Sequence, residues 1–168
     1  MYSVGLAIDT FVFSLYSSLT AGNVGTQGAA IDDDVLLAAV ENLDKADVPR
    51  ENRKLVLDPE SITDLMKIDK MVSDSYVQLG AVEQSNGLIG KSRYGCQVFM
   101  SNNLTAQNTT YHSAAMLYKE AIALIVSKDD VVDYFDWKEK FTNVCRAQNL
   151  FGATAVRPTA GVCINTRS

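Results

Sequence analysis

One histidine, three cysteines, a glycine-rich stretch and two acidic clusters carry whatever reactive chemistry this sequence has. His112 stands beside Tyr111 in a polar stretch, and any Cys–His or Ser–His catalytic pair would have to use it. No nucleophile elbow accompanies it. Cys96, Cys145 and Cys163 are far apart, lack CxxC spacing and lie in apolar or alternating runs, the ordinary setting of a small buried hydrophobe. An odd number of cysteines without a secretory signal points to a reducing compartment. No catalytic residue is assigned.

The loop and the acidic clusters invite ligand readings and have simpler ones. Gly22-Asn-Val-Gly25-Thr-Gln-Gly28 resembles a phosphate loop in composition. Such a loop needs a strand before it and a helix after it, so that backbone N–H groups converge on the anion. Here a helix precedes the glycines and no Lys-Ser/Thr follows, so a flexible linker is expected and no cofactor is assigned. Asp32-Asp33-Asp34 and Asp129/Asp130/Asp133/Asp136 are oxygen-rich enough for a hard cation, but the EF-hand spacing is missing. Helix capping accounts for the first cluster and a solvated loop for the second, so no metal is assigned. Asn103-Leu-Thr and Asn108-Thr-Thr match a glycosylation sequon, which without a secretory signal is read as coincidence.

The net charge of −5 disfavours a protein whose work is gripping phosphate backbones. Arg50, Arg53, Lys54, Lys67 and Lys70 are spread as a solvated surface would have them. With 47% hydrophobic residues the chain has material for a packed core. Met1–Leu19 is apolar-rich but carries Asp9 mid-run and several serines, with neither the basic flank nor the cleavage site of a signal peptide, and is read as neither a signal peptide nor a membrane span.

The elements follow from periodicity and end signals. Val4, Ala7, Ile8, Phe11, Val12, Leu15 and Leu19 recur at helical spacing, predicting a helix over 4–19 that begins without a capping residue. Residues 20–30 read as a connector. The aspartates at 32–34 suit a helix N-terminus, and Leu36, Ala39, Val40, Leu43 and Ala46 form one face of a helix over 33–47 that Pro49 terminates. Residues 53–58 read as a strand. Asp58-Pro59 then starts a helix over 59–67, with Asp as N-cap and Pro in the first turn. Residues 69–92 predict a long loop or ragged hairpin, 93–101 a strand, and 102–110 a polar turn. Residues 113–120 predict a helical turn leading into a strand at 121–126, followed by an acidic loop at 128–136. Residues 137–151 are strand-like, although a helix satisfies the same periodicity, and 160–164 is a final strand. The expected sheet is mixed and contains 53–58, 93–101 and 121–126.

Taken in order, several segments form a familiar series. They are Ala7-Ile-Asp9, Asp44–Arg50 (DKADVPR), Lys54–Glu60 (KLVLDPE), Ile89-Gly90, Tyr94–Leu104 (YGCQVFMSNNL), Lys119–Leu124 and Leu150–Val162 (LFGATAVRPTAGV). The series resembles the C-terminal half of major capsid proteins of tailed double-stranded-DNA phages, nearest the podovirus-type branch of the HK97-like fold. The order and spacing carry the likeness over residues 5–165.

The resemblance implies an α+β fold. Residues 1–30 would end the spine helix of the peripheral (P) domain, 31–127 would be the axial (A) domain, a mixed sheet flanked by helices, and 128–168 would return to P-domain strands. It implies a coat protein rather than an enzyme, forming pentamers and hexamers with copies of itself. Scaffolding and portal proteins would be further partners, with weak non-specific contact to packaged DNA and no membrane. The location would be the virion capsid, after synthesis in the host bacterial cytoplasm. The family's N-terminal arm, extended loop and first spine-helix turns have no counterpart here, so the chain alone is expected not to close shells. The alternatives are an encapsulin-like shell or other assembly module of the same fold, and a small α/β enzyme using Gly22–Gly28 or His112.

Overall fold

Local chemistry sets the two short helices much as the sequence predicts. In the computed structural model, which describes residues 2–68, 92–104, 106–108 and 111–167, Asp58 is the N-cap of α3 (Pro59–Leu65) and accepts a hydrogen bond from the Ser61 backbone N–H at 3.2 Å. Helix α2 (Asp33–Lys45) buries Leu36, Ala39 and Leu43, the predicted face, while Glu41 and Lys45 pair at 2.7 Å on the exposed side. Its N-cap, Asp32, makes no side-chain capping bond, so the acidic cluster acts there through charge in the first turn.

The first helix, α1, spans Tyr2–Ser14 and tightens into a 3-10 turn at Leu15–Ser18. Strands β1 (Asn23–Val24), β2 (Arg53–Leu57), β3 (Ser92–Arg93), β4 (Cys96–Met100), β5 (Ala106–Asn108), β6 (Tyr111–Tyr118) and β9 (Gly161–Arg167) form one mixed sheet, in the order β1-β9-β6-β2-β4-β3 with β5 on β6. The pairs β2–β4 and β1–β9 are parallel; β2–β6 and β6–β9 are antiparallel. The 93–101 strand is broken by Tyr94-Gly95, whose φ values of 50° and 77° make a two-residue hairpin turn between β3 and β4. Most of the predicted 69–92 loop lies outside the described residues.

The remaining strands, β7 (Ile122–Trp137) and β8 (Thr142–Ala155), form a separate two-stranded ribbon with register shifts between Val126 and Val131. Several expectations change here. Residues 113–118 lie in strand β6 rather than a helical turn, and 122–126 begins the ribbon rather than joining the mixed sheet. The acidic stretch 128–136 is paired strand, not loop. The expected boundary after residue 127 falls inside β7, and β9 lies in the mixed sheet beside β6.

The core lies between this sheet and the helices. Leu55, Leu57, Ala114, Met116, Val162 and Ile164 are buried in the sheet, with Leu36, Leu43 and Leu65 packed from the helices. Full burial of each such aliphatic side chain contributes about 1.5–3 kcal/mol. Helix α2 packs against β9, and α1 against β8.

Candidate assembly surfaces

The candidate chemical residues are placed apart and bound to structural tasks. His112 is the second residue of β6, half-buried, in register with Thr166, and its buried Nδ1 meets no hydrogen-bond partner among the described residues. Neither sheet cysteine serves it. Cys96 Sγ lies 3.5 Å from Met116 Sδ, and Cys163 is buried on β9 with Ser113 near its thiol. Burial pushes the Cys96 thiol up to about 11, against the lowering influence of Arg53, and burial likewise raises Cys163. Both are poor nucleophiles. Cys145 is exposed on β8.

The Gly22–Gly28 stretch is docked rather than a free linker. Its strand β1 pairs with β9, the Cys163 N–H donates to Gly22 O at 3.1 Å, and the Ala21 N–H donates to Gly161 O at 3.2 Å. Gly25 has φ +83°, and a Cβ there would stand 2.5 Å from the Asn165 carbonyl oxygen. The backbone at the start of this stretch is thus committed to the sheet edge rather than wrapped around an anion.

One aspartate of each acidic cluster is engaged by a neighbouring side chain. Asp33 accepts a hydrogen bond from the Tyr94 hydroxyl, and Asp133 pairs with Arg146 at 3.2 Å. No group of three or more His, Cys, Asp or Glu side chains gathers as a metal site among the described residues. No helix among them is long and apolar enough to cross a membrane.

Two buried ionic contacts escaped the sequence reading. Arg53, 1% exposed, donates to Asp44 Oδ1 at 2.6 Å, to Val48 O at 2.5 Å and to Pro49 O at 3.0 Å. Asp64, 3% exposed, accepts from Arg167 at 2.6 Å and Lys67 at 2.8 Å. Alternation along RKLVL was the available signal for Arg53, since it shares a face with Leu55 and Leu57.

Two parts of the outward surface, on α1 and on the ribbon, are rich in apolar side chains. On α1, Val4, Ile8, Val12 and Leu15 are half-buried, while Leu6, Ala7 and Phe11 are exposed, so the helix carries more apolar side chains than it covers. Phe11 meets Phe151 of β8 edge-on at 5.7 Å and seats the helix on the ribbon. Beside that seat a groove of about 320 Å³ is lined by Ile8, Val12, Leu117, Ile122 and Leu124, with Lys54 at its wall. On the ribbon, a hollow of about 430 Å³ is lined by Ala123, Ile125, Leu150 and Gly152. Ile125, Tyr134, Phe135, Trp137, Phe141 and Leu150 are all exposed along β7, the tip and β8. Contiguous apolar surface of this kind marks a site of association.

No family model matches the sequence, and no curated protein does. Solved structures do match. A chain of Mycobacterium phage Che8 is 24% identical, with a TM-score of 0.83 over 97% of this chain and 59% of that one. The mature capsid of bacteriophage PhiM1 gives 12% identity and a TM-score of 0.75 over 98% of this chain and 62% of its counterpart. The capsid of cyanophage P-SCSP1u gives 14% and 0.71, again over 98% and 62%. This chain thus spans about three fifths of the length of these phage chains. Its mixed sheet, flanking helices and long ribbon are the α+β, HK97-like fold of phage capsid proteins.

Proposed function

We propose that this chain is the shell-forming part of a tailed-phage major capsid protein, working by assembly with copies of itself. The observation that carries this is the match of nearly the whole chain to the PhiM1 and P-SCSP1u capsid chains at TM-scores of 0.75 and 0.71, with a further phage chain, of Che8, at 0.83. The uncovered apolar surface on α1 and the ribbon supports it, because a shell subunit needs several interfaces and no catalytic residue. Pentamers and hexamers are the assemblies such subunits form, and the virion capsid is the corresponding location. The encapsulin-like alternative is not favoured, since these likenesses are to phage chains.

The division of labour follows the packing. The sheet with α2 and α3 serves as the axial part, and α1 with the ribbon as the peripheral part. This assigns residues 122–127 to the peripheral part and both β1 and β9 to the axial part, relative to the boundaries expected at 30/31 and 127/128. Scaffolding and portal proteins are the further partners of this reading. DNA contact is weak and non-specific, in keeping with a net charge of −5. Synthesis takes place in the host bacterial cytoplasm.

Electron microscopy of particles from cells expressing the complete gene tests the proposal. Closed shells whose subunit density contains this sheet and ribbon are the expected result. A soluble protein of one or two copies, with no shells at any stage of infection, would refute it.

A further inference from the structure

Beyond the two register shifts, from Val131 to Gln148, the ribbon consists of two strands with both edges unpaired among the described residues. It carries large apolar side chains on both faces. Phe135 and Trp137 lie on the face of Asp133 and Arg146, with Arg146 over the Phe135 ring at 6.0 Å and Lys140 over the Trp137 ring at 4.6 Å. Tyr134, 79% exposed, lies on the opposite face opposite Cys145, and Phe141 at the tip is 96% exposed. An isolated two-stranded ribbon is marginally stable in water, and the described residues leave this one's distal half without cover.

The charge is divided along the hairpin. The sequence from 128 to 136 has four aspartates and one lysine, all on β7. From 138 to 146, through the tip and into β8, it has Lys138, Lys140 and Arg146 with Glu139 as the one acid. Two ribbons stacked with like segments in register would set acid against acid. A staggered arrangement, with β7 of one ribbon against the tip and β8 of the next, sets opposite charges together and covers the aromatic residues.

We propose that the distal ribbon docks on the distal ribbon of a second copy of this chain, head to tail, with the acidic β7 of one copy on the basic tip of the next. The contact is heterologous, so it can continue around a ring, and its polarity tells neighbouring copies which way to face. It deepens the capsid reading and rests on it, naming the surface and polarity of one subunit contact.

Charge reversal tests it. Asp136→Lys and Lys138→Glu, each confirmed folded by its circular dichroism and melting transition, are compared with the unmodified chain by sedimentation velocity over a concentration series in low salt. The unmodified chain is expected to self-associate, and association should weaken as salt shortens the screening length to about 3 Å near 1 M. Each reversed variant alone should associate about tenfold more weakly, and an equimolar mixture of the two should recover to within about threefold of the original. An unmodified chain that stays monomeric would overturn the proposal, as would variants that associate undiminished or a mixture that gains nothing. Shells that form from the complete protein carrying either reversal would overturn this contact and leave the capsid reading intact. Charge-sensitive pairing in a protein that never forms shells would uphold the contact and remove the capsid reading.

Discussion

The Thr166 hydroxyl lies 3.2 Å from Oδ1 of Asp58, joining the start of helix α3 to the last strand of the sheet. The same carboxyl accepts from the Ser61 hydroxyl at 2.5 Å and from the Ser61 N–H at 3.2 Å, and all three side chains are buried. A local capping signal is therefore also a long-range tie.

Asp58→Ala should destabilise the fold by more than a surface cap would. Loss of the cap costs about 0.5–2 kcal/mol, and stranding the buried Ser61 hydroxyl adds about 1–3 kcal/mol, whereas the Thr166 hydroxyl keeps His112 O at 3.3 Å as an acceptor. Thr166→Val, which removes one donor and leaves the cap, should cost less. Urea denaturation of the two variants gives the order, and an unchanged midpoint for Asp58→Ala would show that the carboxyl holds nothing.

Asp44 links stability to acid. Hydrogen bonds from Arg50 first, and then Arg53, hold its carboxyl below the ordinary value of 3.8. A depressed folded-state value means the contribution is complete above the unfolded value and is lost as pH falls through the folded one. Asp44→Asn should therefore be less stable than the parent at neutral pH, with the difference shrinking progressively below pH 3.8. Thermal melts from pH 7 downward would show it; a difference independent of pH would remove the electrostatic account.

The three thiols should react in two classes. Cys145 is exposed, whereas Cys96 and Cys163 are buried with raised values. Titration with a thiol reagent at neutral pH should give one fast equivalent in the native protein and three in denaturant. Fast labelling of Cys96 in the native protein would contradict its burial on β4 against Met116, which reaches it across β2.

Gly25→Ala should be destabilising by at least about 1–2 kcal/mol, the cost of a left-handed residue bearing a Cβ. The approach to Asn165 O adds to this. Gly152→Ala is the control, because nothing lies within 4 Å of the Cβ it would gain. Equal melting temperatures for the two variants would mean that β1 does not hold its place on β9.

Elements whose signals lie within a few residues were legible in the sequence. Helices α2 and α3 and strand β2 are set by Asp-Pro capping, helical spacing around Leu36, Ala39 and Leu43, and alternation in RKLVL. Each depends on neighbours in the chain. The assembly role came from the order of many short segments, and the apolar face of α1 was legible in its helical spacing, while the ribbon surface was not foreseen. Nothing in Tyr134, Phe135, Trp137 or Phe141 says locally whether they are buried or exposed.

Tertiary pairing decided the rest. Residues 113–118 include Ala114, Ala115, Met116 and Leu117, which favour helix in isolation, yet they form β6 between β2 and β9. A strand buried within a sheet has no need of alternation, so its pattern is silent. Lys128–Asp136 is rich in aspartate, which strands disfavour, and becomes strand because β8 supplies its hydrogen bonds. The glycine connector is held by Cys163, Ile164 and Asn165, about 140 positions further along the chain. Local preferences of a few tenths of a kcal/mol per residue yield to such pairings, because an unpaired buried backbone group costs more than the preference is worth.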